Sequence, residues 1–135
     1  MTPRPLLDTH AWLWWLDGSG TLTARERTAL DELPPAACPY VAAISLWELA
    51  TLNERRRVVL RQGFEAWIDV AAAPETVTVV DVTPAIAKEL MHFPKGFHHD
   101  PADRLIVATA RALDLPLLTD DRAIRRSGLV RLWRP

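Results

Sequence analysis

Five short apolar runs punctuate this chain, at residues 5–8, 38–43, 76–82, 115–119 and 129–133, and a stretch of helical character lies between the successive runs. That alternation constrains the fold more than any other feature. Strands separated by helices are joined by crossovers and run parallel, whereas antiparallel neighbours need only tight turns. The run at 5–8, apolar up to its closing Asp8, suits a buried strand, and 76–82 is rich in the β-branched residues that strands favour. The expectation is an α/β three-layer sandwich, helices on both sides of a central parallel sheet of about five strands, with residues 1–135 as one domain.

The helix signals are local and physical. Thr23 and Glu26 have capping-box spacing and predict a helix that Pro34 and Pro35 end. Ser45 and Glu48 repeat the pattern and predict a helix to about Arg57. Residues 9–16 read as a helix stopped at Asp17-Gly18, 61–73 as another, and Pro84 to His92 as a third with proline in its first turn. Residues 93–99 read as a loop, Asp100 as the N-cap and Pro101 as the first residue of a long helix to about Leu113. A short helix over 121–127 ends at Gly128.

Charge and composition exclude several classes. Sixteen Lys and Arg against 17 Asp and Glu give a net charge of -1, so the chain is no polycation that coats nucleic acid with its whole surface. One cysteine, Cys38, excludes an intramolecular disulfide framework and a cysteine-built zinc site. No apolar run approaches the ~20 residues of a membrane span, and residues 1–7 lack the apolar middle of a signal peptide, so a cytoplasmic setting and no membrane partner are expected.

The acids are the informative residues. Asp8 follows the first apolar run, Glu48 sits in the predicted first turn after the second, Asp100 and Asp103 open the long helix, and Asp120 and Asp121 follow the fourth run. In a doubly wound sheet those positions converge at the carboxyl edge of the strands. Each acid also has a purely structural use: Asp8, Asp100 and Asp121 stand where N-caps belong, and Glu48 and Asp103 at N3, where a carboxylate favours the helix dipole. Capping does not explain why the acids gather at one edge. Carboxylates packed together raise one another's pKa, and a divalent cation offsets that cost. The oxygen-only ligand set favours Mg²⁺ or Mn²⁺ over zinc and predicts metal-assisted phosphodiester hydrolysis by a metal-activated water. Asp8, Asp103 and Asp121 are the candidate metal ligands, with Glu48 as the fourth catalytic acid and Asp100, Asp120 and Thr119 as auxiliaries.

Four segments carry a resemblance to a known family: Leu6-Leu7-Asp8-Thr9-His10, Ser45-Leu46-Trp47-Glu48-Leu49, Asp100-Pro101-Ala102-Asp103-Arg104-Leu105-Ile106 and Leu117-Leu118-Thr119-Asp120-Asp121-Arg122. In this order and at these distances the chain resembles the PIN-domain ribonucleases, in particular the VapC toxins of type II toxin–antitoxin pairs. The resemblance implies a PIN-like five-stranded parallel sheet and a Mg²⁺- or Mn²⁺-dependent endoribonuclease that cuts structured RNA such as transfer RNA. It also implies a homodimer and a small VapB-type antitoxin laid over the active site. By motif position the family's four acids fall on Asp8, Glu48, Asp103 and Asp121.

Other residues have weaker signals. Arg55, Arg56, Arg57, Arg104 and Arg122 are candidates for holding an RNA backbone, since the arginine fork suits phosphate; a solvated face with local ion pairs is the plainer reading of the 55–57 run. Trp12 and Trp15 share a helix face and read as core or partner surface, and Trp47, Trp67 and Trp133 read as core. His98 and His99 are adjacent, so their rings point apart and joint metal ligation is not expected. Two other classes compete: a different phosphate enzyme on a similar sheet (a phosphohydrolase or a DNA-directed nuclease) and a receiver-like signalling module. Asp8-Thr9-His10 lacks the second aspartate of a haloacid-dehalogenase phosphatase, and the only lysines, Lys88 and Lys95, are not placed after a late strand as a receiver requires.

Overall fold

Residues 3–135 are described by the structure, a computed structural model. Strands β1 (Leu6–Leu7), β2 (Tyr40–Ala42), β3 (Thr78–Val80) and β4 (Leu117–Leu118) pair in parallel in the order β3-β2-β1-β4. Helices α1 (Thr9–Asp17), α2 (Ala24–Asp31), α3 (Ala43–Glu54), α4 (Phe64–Ala71), α5 (Pro84–Leu90), α6 (Pro101–Leu113) and α7 (Arg122–Ser127) connect or follow them. The chain builds outward from β1 to β3 and then returns to place β4 on the other side of β1. That reversal is the topological switch point at which such sheets hold their sites.

The sheet has four strands where about five are expected. Residues 129–133 reach it through one parallel bridge, Leu132 to Leu117, supported by backbone hydrogen bonds from Leu117 N to Arg131 O (2.8 Å) and from Trp133 N to Leu117 O (2.9 Å). β4 is only two residues long, so its outer edge pairs with little more. The chain then drives the Trp133 ring into the core, and its indole N–H donates to the Pro3 carbonyl at 3.1 Å.

Three layers follow from the two-residue period of the strands. Leu7, Val41 and Leu118 face one side and pack with Trp12, Leu30, Leu49, Trp67 and Trp133. Leu6, Ala42 and Leu117 face the other and pack with Ile106, Val107, Ala110 and Ile124 of α6 and α7. Trp12 is fully buried; its ring lies 6.3 Å from that of Trp67, and its indole N–H donates to the Ala71 carbonyl at the end of α4. Trp15 stays half-buried, packed on the same cluster, with its indole N–H on Asp31 at 2.9 Å.

Two sequence expectations need correction. Ser45 does not cap a helix: α3 starts two residues earlier, at Ala43, because nothing in Ala42-Ala43-Ile44 resists helix, and the capping position is Ala42 with no side-chain bond. Ser45 is instead wholly buried inside α3, where its hydroxyl accepts from that of Thr9 at 2.9 Å. Glu48 therefore stands in the second turn, not at N3. Trp47 is no core residue; it is 59 % exposed, because Ser45 and Leu49 take the buried face of α3. The Thr23–Glu26 capping box forms as the spacing predicts. Among the described residues no helix is long and apolar enough to cross a membrane.

Candidate active site

The register of the central strands builds the floor of the site. Leu6 pairs with Leu117 and Leu7 with Leu118, so Asp8 and Thr119 leave the sheet side by side. The Thr119 hydroxyl donates to Asp8 Oδ2, and the same Thr119 oxygen accepts the Asp121 N–H at 3.0 Å. Asp8 caps α1 through Oδ1, which accepts the Ala11 N–H at 2.9 Å. Burial pushes the Asp8 carboxyl above its ordinary range, more strongly than the bonds from Thr119 and Ala11 pull it down.

Asp121 caps α7 in the same manner, Oδ1 accepting the Ile124 N–H at 2.9 Å. Asp100 caps α6, its Oδ1 accepting from Ala102 N (2.8 Å) and Asp103 N (3.2 Å). Asp103 then falls at N3 of α6, facing inward. These caps turn three helix N-termini, with their positive dipole ends, toward one place.

Carboxylate oxygens of Glu48, Asp100 and Asp103 lie within 4.8 Å of one another. A second group, sharing Asp103, joins Asp121 and His98 within the same distance. His98 Nε2 stands 3.0 Å from Asp103 Oδ2 and 2.9 Å from Asp121 Oδ2. Asp8 belongs to neither group, although its charge is felt by Glu48 and it feels that of Asp121. Asp120 is exposed and outside both groups, lining a crevice with Trp14, Glu26 and Arg125.

The electrostatics are those of crowded acids. Burial, then Asp100, raise the Asp103 pKa to about 7; Glu48 and Asp121 add to the rise, and only His98 opposes it. Burial likewise raises Glu48, against the pull of Thr9. For Asp121, burial pushes upward but is outweighed by His98 and the Ile124 N–H, which hold its carboxyl below the usual range. Burial pushes His98 down, and its bond to Asp121 and the field of Asp103 more than reverse that. The donor set fits a divalent cation: hard oxygens, an excess of negative charge and one imidazole.

The raised pKa values have a direct consequence. An acid whose folded pKa lies above its unfolded value supports folding fully below the unfolded value, and that support is lost as pH rises through the folded one. Asp103 therefore destabilises the metal-free fold progressively from about pH 4 to about pH 7. Asp8 and Glu48 act with the same sign, and Asp121, being lowered, with the opposite one, its support fading only as pH falls below the carboxylate range. In EDTA, the urea midpoint is expected to fall across that interval, and Asp103→Asn to flatten the profile. A midpoint that rises there contradicts the arrangement.

The sequence singles out His98 only as half of a pair with His99 and does not expect joint ligation; His98 alone is brought into the site, by the turn at Gly96 (φ 81°) and its own backbone at φ 27°. Its position two residues before the capping Asp100 was the available signal. His99 is exposed, and His10 is exposed with its ring 5.8 Å from that of Trp14. Arg104 does not touch the acids: its Nη1 donates to the carbonyls of Phe97 (3.0 Å) and His98 (3.4 Å), and its guanidinium lies over Phe93 at 5.3 Å. Arg55, Arg56, Arg57 and Arg122 are exposed.

Residues 6–128 match the model of the PIN domain. The chain is 38 % identical over 120 residues to Ribonuclease VapC22 of Mycobacterium tuberculosis, covering 89 % of this chain and 88 % of that protein. Among solved structures, its fold is similar to a chain of VapBC2 from Rickettsia felis bound to a promoter DNA fragment (TM-score 0.71, 16 % identity, 96 % of each chain). It is equally similar to a chain of DNA-bound VapBC from Salmonella typhimurium (TM-score 0.71, 19 % identity, 97 % of each chain).

Proposed function

This chain belongs to the PIN domain family, and on that premise we propose that it is a Mg²⁺- or Mn²⁺-dependent endoribonuclease, the toxin of a type II toxin–antitoxin pair, acting on structured RNA in the cytoplasm. The observation that carries the reading is the crowding of carboxylates around Asp103, whose pKa is raised to about 7 first by burial and then by Asp100, with Glu48 and Asp121 adding to the rise. Asp8, Asp103 and Asp121 would hold the ion, with Glu48 and Asp100, whose carboxylates lie within 4.8 Å of that of Asp103, beside them. When bound, a divalent cation supplies charge neutralisation at a phosphate and an activated water.

The chain's own residues supply the rest. Asp8 and Thr119 form a rigid buried floor, so the acids above it keep their spacing without rearrangement during a turnover. The N-terminal ends of α1, α6 and α7 converge there and favour the negative charge of a phosphate. Exposed Arg55, Arg56, Arg57 and Arg122 are the groups we assign to the RNA backbone, and their phosphate contacts make binding weaken with salt. The partner is a VapB-type antitoxin, in keeping with the names of the relatives, and the chain is a homodimer. Exposed Trp47, Val59, Val70, Val82 and Met91 give such partners apolar surface to cover.

A gel assay tests this. Purified protein and transfer RNA are mixed with Mg²⁺, with Mn²⁺ or with EDTA, beside a DNA of matching sequence. Cleavage of RNA alone, abolished by EDTA and restored by adding the ion back, is the expected result. Cleavage of the DNA in place of RNA, or intact RNA with both ions, overturns it.

A further inference from the structure

We propose that the crevice between α1, α2, α7 and the end of β4 is a base-recognition subsite: it takes one unpaired RNA base beside the scissile phosphate, and the polar groups in its wall select guanine. The inference rests on the ribonuclease reading above and deepens it by naming what is recognised in the RNA.

The crevice shares a wall with the acids. It holds about 230 Å³, and Ala11, Trp14, Glu26, Thr119, Asp120 and Arg125 line it. Two of these are the partners of Asp8: the Ala11 N–H donates to Asp8 Oδ1 and the Thr119 hydroxyl to Asp8 Oδ2. A nucleotide whose phosphate stands at Asp8 therefore has a flanking base within reach of the crevice. The volume is below the ~300–1,000 Å³ of pockets that take drug-sized ligands, so it suits a single ring system.

The aromatic member is fixed in advance. Trp14 is half-buried, and Gly20, at φ 77°, lies so close to its ring that any Cβ there would collide with it. Arg27 donates to the Trp14 carbonyl at 2.8 Å and to the Ser19 carbonyl, which holds the loop from α1 to α2 in that position. His10, one turn earlier on α1, brings its ring to 5.8 Å from that of Trp14. Aromatic side chains beside a phosphate site are what unpaired RNA bases stack on.

The polar members set the choice. Arg125 donates to the Thr119 carbonyl at 2.9 Å, which seats its guanidinium in the wall. The Asp120 carboxylate is exposed, and Glu26 spends Oε1 on the Thr23 N–H. Carboxylates repel phosphate and accept N–H groups, whereas arginine donates to ring nitrogens and carbonyls. Guanine offers both kinds of partner, the adjacent N1 and N2 hydrogens for a carboxylate and O6 with N7 for arginine. A cationic peptide side chain is the other occupant that two acids would attract, and Arg125 in the same wall opposes it.

The test uses RNA hairpins in Mn²⁺ whose loops carry each base in turn, or inosine, which is guanosine without its N2 amine. Cutting is expected at a fixed step from the loop guanine, with kcat/KM about tenfold lower for inosine, the loss that goes with one good paired contact. Asp120→Ala, at an exposed position, is expected to make guanosine and inosine equal, and Trp14→Ala to lower kcat/KM for every base by about tenfold. A merely structural Asp120 would slow both RNAs alike and leave their ratio unchanged. Binding is read separately without metal: the Trp14 indole resonance, identified by its loss in Trp14→Phe, is expected to shift with guanosine monophosphate and not with cytidine monophosphate or arginine amide. RNA cut without regard to the loop base, an unchanged ratio in Asp120→Ala, or an indole that answers to arginine amide instead overturns the inference and leaves the ribonuclease reading standing; the last of these gives the crevice to a basic peptide. RNA left intact by the unmodified chain overturns the ribonuclease reading, and the indole response then decides by itself whether the crevice takes guanine.

Discussion

Asp103→Asn is expected to lower Mg²⁺- or Mn²⁺-dependent RNA cleavage by about 10³-fold or more in kcat/KM. The residue is common to both groups of convergent side chains, so it has no substitute in either. An ion at a phosphate is worth several kcal/mol of transition-state charge stabilisation, and each ~1.4 kcal/mol is a factor of ten in rate. Asparagine keeps the size and the N3 position of the side chain, so the loss isolates charge from shape. A second readout separates chemistry from folding. At an ion concentration of 100 Kd, binding adds about 2.7 kcal/mol to the stability of the parent, seen as a raised Tm, whereas the variant should show little shift. A variant that cleaves at the parental rate, or that gains as much from the ion, removes Asp103 from its assigned role.

Trp12→Ala is expected to cost about 3–5 kcal/mol of folding stability, the range for deleting a fully buried large aromatic. That is a large share of the 5–15 kcal/mol a domain of this kind holds in total. Trp12 has 0 % exposure, meets Trp67 and ties α1 to the last carbonyl of α4 through its indole N–H. Trp12→Phe should lose less area but strand the Ala71 carbonyl, at about 1–3 kcal/mol. Urea unfolding is expected to show a lowered midpoint at unchanged slope for both, with alanine the worse. An alanine variant within about 1 kcal/mol of the parent would mean that this ring is not the keystone of the larger core.

Much of this was legible from the chain alone, for identifiable reasons. Short apolar runs suit strands covered on both faces, and β1 and β4 are wholly buried, whereas β3 at the sheet edge keeps Thr78 exposed. Asp100-Pro101 and Asp121 announce helix starts through local chemistry that tertiary contacts do not override; Asp8 and Asp121 converge because their starts lie at strand ends, and the 93–99 loop brings Asp100 to them. Ser45 shows where local rules fail: a serine two residues into a helix looks like a cap, but its hydroxyl is spent on Thr9 across the site. His98 reads only as a pair with His99, for a different reason. Its approach to Asp103 and Asp121 depends on a loop path set by Gly96, Arg104 and two phenylalanines, none of which has a periodic signature. The strand over 129–133 was overestimated because composition reports a taste for extended backbone but not whether an edge long enough to pair with is present.

The double use of Asp8, Asp100 and Asp121, each with one carboxylate oxygen on a backbone N–H of its own helix, ties inheritance of the fold to inheritance of the chemistry. A random change that disarms one of these positions also unpins a helix, so disabled copies start life handicapped in folding. Only swaps to asparagine, serine or threonine preserve the pin while discarding the charge. Well-folded, inactive descendants of this chain should thus be confined to those few residues at the three positions.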